Sequence, residues 1–101
     1  MSDIEQSRKA LLRRVLDGDG RASSLERRSA FHHSGLVDPL CELVDKVASN
    51  ARSVGEEDFR RARQSGLSED QIFELVVCAA IGQATRQYDA ARAALEAARR
   101  N

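Results

Sequence analysis

Apolar residues recur along this chain at helical spacing, and no stretch alternates between apolar and polar positions as a half-buried strand would. Ile4, Leu11, Leu12, Val15 and Leu16 share one face of a first helix predicted over about residues 3–16, with Arg8, Lys9, Arg13 and Arg14 largely opposite. Ser2 and Glu5 have the spacing of a capping box at its start. The segment DGDGRASS from Asp17 to Ser24 then reads as a turn-rich connector, which makes residues 1–35 a peripheral, mobile N-terminal helical arm.

Ser23 and Glu26 repeat the capping-box spacing and open a short helix through Phe31 and His33, which Gly35 stops in the left-handed conformation. Asp38 before Pro39 is another start signal, and a helix from Pro39 to about Arg52 presents Leu40, Leu43, Val44 and Val47 as its core stripe. Val54 and Gly55 interrupt; Glu56, Glu57 and Asp58 begin a fourth helix, and Gly66 ends it.

The most informative stretch is GLSEDQIFELVVCAAIGQATRQYDAARAALEAAR, from Gly66 to Arg99. Ser68 and Gln71 cap its start reciprocally, and Glu69 and Asp70 complement the positive end of the dipole. From Ile72 to Ile81 the apolar residues surround the helix, the pattern of a central element. Beyond Gln83 only a narrow stripe of Tyr88, Ala91, Leu95 and Ala98 remains. Gly82, unfavourable by about 1 kcal/mol in a helix interior, marks a kink or a close helix crossing. A continuous helix of roughly 30 residues is about 45 Å long, and a compact domain of this size has a radius of gyration near 13 Å. Such a helix overhangs its own domain, and a second subunit is the expected cover.

Five helical segments without a strand signal define an all-α fold, a small helical domain with one long C-terminal helix. The 101 residues make one small domain, 42% hydrophobic and 32% charged, with sixteen basic residues balancing sixteen acidic ones. That neutrality gives no general attraction to nucleic acid or to an anionic membrane. Arg60, Arg61 and Arg63 lie on a helix that begins with three carboxylates and read as a solvated face; nucleic-acid binding is not expected. No apolar run reaches membrane-spanning length, and MSDIEQSRK has charge where a signal peptide needs its apolar core, so a cytoplasmic location is expected. Cys41 and Cys78 fall inside predicted helices and fit free core thiols of a reducing compartment.

From Leu40 to Leu95 the chain resembles the carboxymuconolactone decarboxylase and alkylhydroperoxidase D-like superfamily. The features that carry the resemblance are Gly66-Leu67-Ser68 opening the long helix, and Arg86 with Asp89 and Ala90 in its second half. The resemblance divides the chain into the arm, 1–35, and a carboxymuconolactone decarboxylase-like helical domain, 36–101. It implies a helical homo-oligomer with sites between helices near subunit contacts, and the overhang makes the long helix the expected joint. The redox branch of the superfamily carries a C-x-x-C-x-x-x-H motif before the G-L-S turn. Its cysteines would fall on Ala51 and Val54, its histidine on Asp58, and an upstream glutamate on Pro39. None of the four matches, and Ala51 and Val54 can neither attack peroxide nor resolve the product. The resemblance therefore implies a member without thiol peroxidase activity, needing no cofactor, that binds or converts a small acidic or lactone-type metabolite. The alternative is a non-catalytic helical assembly module.

The candidate chemistry is sparse. His32 and His33 point about 100° apart, so they do not form a metal pair, and no metal is expected. They read either as polar groups suiting a helix end or as a general acid or base in a decarboxylase-like pocket. Gln83, Arg86 and Tyr88 adjoin the apolar segment and are the candidate substrate-binding residues. Arg86 can bind a carboxylate in a bidentate manner or pair with Asp89 one turn on. Glu96 and Arg100 have the spacing of a surface ion pair.

Overall fold

The computed structural model describes residues 3–100 and contains no strand among them. Five helices follow in order: α1 (Asp3–Asp17), α2 (Ser24–His32), α3 (Leu40–Ser49), α4 (Glu56–Gln64) and α5 (Glu69–Arg100), with one 3₁₀ turn, Ala51–Ser53, between α3 and α4. The fold is all-α, and α5 is its axis. α2 and α3 lie against α5, α4 closes the end near the α5 N-terminus, and α1 packs on α2.

Local chemistry sets the helix ends. Ser23 Oγ accepts from the Glu26 N–H while the Glu26 carboxylate accepts from the Ser23 N–H, the reciprocal cap that starts α2. Ser68 and Gln71 do the same for α5, at 3.1 and 2.8 Å. Asp38 Oδ1 accepts from the Glu42 N–H at 3.1 Å, although α3 begins at Leu40 rather than at the proline. The left-handed residue that ends α2 is His33, with φ 57°, and not Gly35, which takes φ 83° two residues later. Histidine is among the few non-glycine residues found in that region. The Ser2 half of the first capping box lies outside the described residues.

The core falls in two adjoining clusters. One joins Leu16, Ala22, Ala30 and Phe31 to Val44, Leu75, Cys78 and Ala79; the other joins Leu43, Ala62 and Ile72. Leu16 and Ala22 are buried in that first cluster, so α1 and the connector enter the core instead of standing off as a peripheral arm. The physical reason is a carboxylate: Glu74 of α5 accepts the backbone N–H groups of Arg21 and Ala22 at 2.6–2.9 Å and draws the connector down. Serine and glycine suggest a free segment, but the Arg21, Ala22 and Ser23 N–H groups are taken by carboxylates.

α5 has 32 residues, about 48 Å of helix, in a molecule 52 Å long. The radius of gyration is 15.3 Å, above the roughly 13 Å of a compact domain this size. Its first half buries Ile72, Leu75, Cys78, Ala79 and Gly82, while Phe73 stays 66% exposed. The expectation of a helix buried all round therefore gives way to one covered on a single broad face. From Arg86 onward every described residue of α5 is exposed. α1 reaches that overhang through long polar side chains: Arg8 to Asp89 at 2.8 Å, and Glu5 to Arg92 at 2.9 Å.

Candidate functional site

Arg27 is in phase with Ala30 and Phe31 on α2, three and four residues before them, and its side chain therefore turns inward with theirs. It is only 7% exposed. One guanidinium nitrogen, Nη1, donates to the carbonyl oxygen of Val15 at 3.1 Å. Nε is fully enclosed and has no hydrogen-bond partner. A buried donor left unsatisfied costs about 1–3 kcal/mol, more when it is charged.

The same arginine lines a cleft of about 560 Å³ between α1, α2 and α5. Leu11 and Val15 form one wall, Phe73, Val77 and Cys78 the other, and Arg14, Gly18, Asp19 and Glu74 complete the lining. Burial pulls the Glu74 carboxyl upward, but the Ala22 and Arg21 N–H groups and the charges of Arg27 and Arg21 hold it below its ordinary value. Glu74 is thus ionised and already committed to the connector. Cys78 cannot serve as a nucleophile, because burial pushes its thiol up and its sulfur lies 3.7 Å from the Val15 carbonyl oxygen. The cleft is an apolar slot with a buried cation that has a spare donor, one committed carboxylate in Glu74 and one further carboxylate, Asp19, on its lining.

None of the candidate catalytic and substrate-binding residues, His32, His33, Gln83, Arg86 and Tyr88, lines this cleft. Arg86 donates to the Phe31 carbonyl oxygen at 2.7 Å and to Gln83 Oε1 at 3.2 Å, so Arg86, steadied by Gln83, caps the end of α2. Arg86 does not take Asp89, whose partner is Arg8. Tyr88 faces α1, its ring beneath the guanidinium of Arg8 at 4.8 Å. His32 sets its ring edge-on to Phe31 at 5.0 Å, and His33 Nε2 meets Asp45 Oδ1. Asp45 also lies 3.9 Å from Cys41, so a carboxylate separates that cysteine from the histidine. Burial, then Asp45 and Asp38, raises the Cys41 thiol, the reverse of what a nucleophile requires. Among the described residues no cluster of histidine, cysteine and carboxylate can hold a metal ion. Glu96 stands 3.8 Å from Arg92, on the N-terminal side, rather than reaching toward Arg100.

The arginines of α4 are engaged with carboxylates: Arg60 with Glu57, Arg61 with Glu57 and Glu42, Arg63 with Glu69. Among the described residues no helix is long and apolar enough to cross a membrane. No protein family, curated protein or solved structure matches the chain.

Sequence reasoning missed Arg27, and a signal for it was present. An arginine in the apolar phase of a nine-residue helix is either expelled or buried with a purpose, and Arg27 stands where an aliphatic residue would complete the stripe with Ala30 and Phe31.

Proposed function

We propose that this chain binds a small, largely apolar organic monoanion, a carboxylate or the polarised carbonyl of a lactone, in the α1–α2–α5 cleft. The observation that supports this reading is a largely buried arginine, Arg27, on the lining of an apolar slot, with an Nε that no protein group satisfies. A bound carboxylate would meet a fixed guanidinium in low dielectric, where such bonds are about twice as strong as neutral ones. Leu11, Val15, Phe73 and Val77 supply the apolar wall that a hydrocarbon or aromatic body needs. Glu74 and Asp19 on the lining disfavour a dianion, so a phosphate ester is the poorer ligand. The ligand class agrees with the acidic or lactone-type metabolite implied by the resemblance to the carboxymuconolactone decarboxylase superfamily, while the residues that hold it are different. With Glu74 committed and the histidines elsewhere, the proposed role is recognition rather than turnover.

The test is thermal unfolding against a panel of short aliphatic and aromatic carboxylates and lactones. A ligand at one hundred times its dissociation constant adds about 2.7 kcal/mol, a rise on the order of 10 °C for a domain of this size. Arg27→Met, checked for helical content, should lose the shift while Arg86→Ala keeps it. Equal shifts in wild type and Arg27→Met, or no shift with any member of the panel, would overturn the reading.

A further inference from the structure

The two ends of α5 have complementary surfaces that a single molecule cannot bring together. At its N-terminal end, α4 and α5 enclose a groove of about 520 Å³ with Ile72 in its floor and two exposed rings, Phe59 (37%) and Phe73 (66%). Glu56, Glu69 and Asp70 rim it, and its one arginine, Arg63, is held by Glu69 at 2.9 Å. The groove is aromatic inside and acidic at the lip. At the C-terminal end, Leu95 is 52% exposed with no cover from the domain, Arg99 lies one turn further on the same face, and Arg100 follows. That end is apolar and basic.

From Phe73 to Leu95 is 22 residues of one straight element, about 33 Å. The chain therefore cannot fold its own tail into its own groove. We propose that copies of this chain associate head to tail, with Leu95 of one copy seated between Phe59 and Phe73 of the next, and Arg99 and Arg100 against Glu56, Glu69 and Asp70. The arrangement also aligns the helix dipoles, placing the negative C-terminal end of one α5 near the positive N-terminal end of another. Because the contact joins two different surfaces, it propagates: it closes into a ring where the rotation permits and extends as a filament where it does not. Apart from Phe73, whose ring borders both, the groove and the tail lie outside the Arg27 cleft. Association and ligand binding can thus fail independently.

A charge swap tests this. The head variant carries Glu56→Lys and Asp70→Lys; the tail variant carries Arg99→Glu and Arg100→Glu. None of these four positions lines the Arg27 cleft. Sedimentation velocity from micromolar to near-millimolar protein at low salt should show the wild-type mass rising with concentration. Each variant alone, confirmed as folded by circular dichroism, should associate at least about tenfold more weakly. An equimolar mixture should regain association, because the altered head and the altered tail are again opposite in charge. A wild type that stays monomeric throughout, variants that assemble as the wild type does, or a mixture that regains nothing would each overturn the proposal. Association that survives both variants would instead identify a symmetric contact elsewhere on α5.

Discussion

The Gly82 backbone lies directly against the carbonyl of Phe31: a methyl group on Gly82 would overlap that oxygen and stand 2.7 Å from the carbonyl carbon. This is the closest crossing of α2 over α5, and the glycine is what lets the two backbones approach. Helix propensity alone favours Gly82→Ala by about 1 kcal/mol. Overpacking costs about 1–3 kcal/mol, and the obstacle here is backbone that cannot rotate away, so the upper end of that range applies. Gly82→Ala should lower the unfolding midpoint by about 10 °C, and a variant at least as stable as wild type would contradict this crossing.

Beside that crossing, Arg86 acts as the α2 C-cap. Removing its bond to the Phe31 oxygen in Arg86→Ala should cost about 1 kcal/mol, with Arg86→Lys recovering part of it. Calorimetry of the three proteins measures the difference. Binding of carboxylates in the Arg27 cleft should be unaffected by either change.

Acid should destabilise the fold through a small set of carboxyls. Asp58, buried against α3, is held below its ordinary value by the Lys46 ammonium at 2.8 Å and the Gly55 N–H. Asp17 is lowered by Ser24 and Arg28, Glu57 by Arg60, and Glu74 by the connector despite its burial. A depressed carboxyl contributes stability that is fully present above its unfolded value and is lost as pH falls through the folded one. The unfolding midpoint should therefore hold near neutrality and decline below about pH 4.5. In Asp58→Asn the neutral-pH midpoint should be lower and the decline shallower, and equal slopes in the two proteins would refute the assignment.

Thiol chemistry gives a separate check. Native protein at neutral pH should react slowly with a disulfide reagent at Cys41 and not measurably at Cys78, with both thiols titrating after denaturation. Asp45→Asn removes the nearest negative charge from Cys41 and should speed its modification, with the pH–rate profile moving to lower pH. An unchanged profile would mean that burial alone sets this thiol.

The helices were legible in the sequence because their signals are local. Ser23 with Glu26, Ser68 with Gln71, and the positive-φ Gly66 at the end of α4 each act within four residues. Gly82 also announced a close crossing. What sequence could not supply were partners far along the chain that are backbone groups. The Arg86 acceptor is a carbonyl 55 residues away, and Glu74 collects donors more than fifty residues before it. Any sequence of residues offers the same carbonyls and amides, so no pattern betrays which are used. The apolar run from Ile72 to Ile81 misled for a related reason: periodicity reports hydrophobicity, but the number of helices available to cover it is a property of the whole fold, and here Phe73 is left over.

The overhang of α5 changes what its continuity means for motion. Near Cys78 one broad face of the helix is packed against α1, α2 and α3, whereas its last turns carry surface ion pairs such as Arg92 with Glu5, each contributing about 0–1 kcal/mol. Amides around Cys78 should exchange with solvent deuterium only when the domain unfolds, while those around Ala94 exchange by fraying, faster still when salt screens the pairs. A rod that is unbroken in geometry is, on the exchange timescale, a clamped base and a melting tip, and whatever engages Leu95 first has to freeze it.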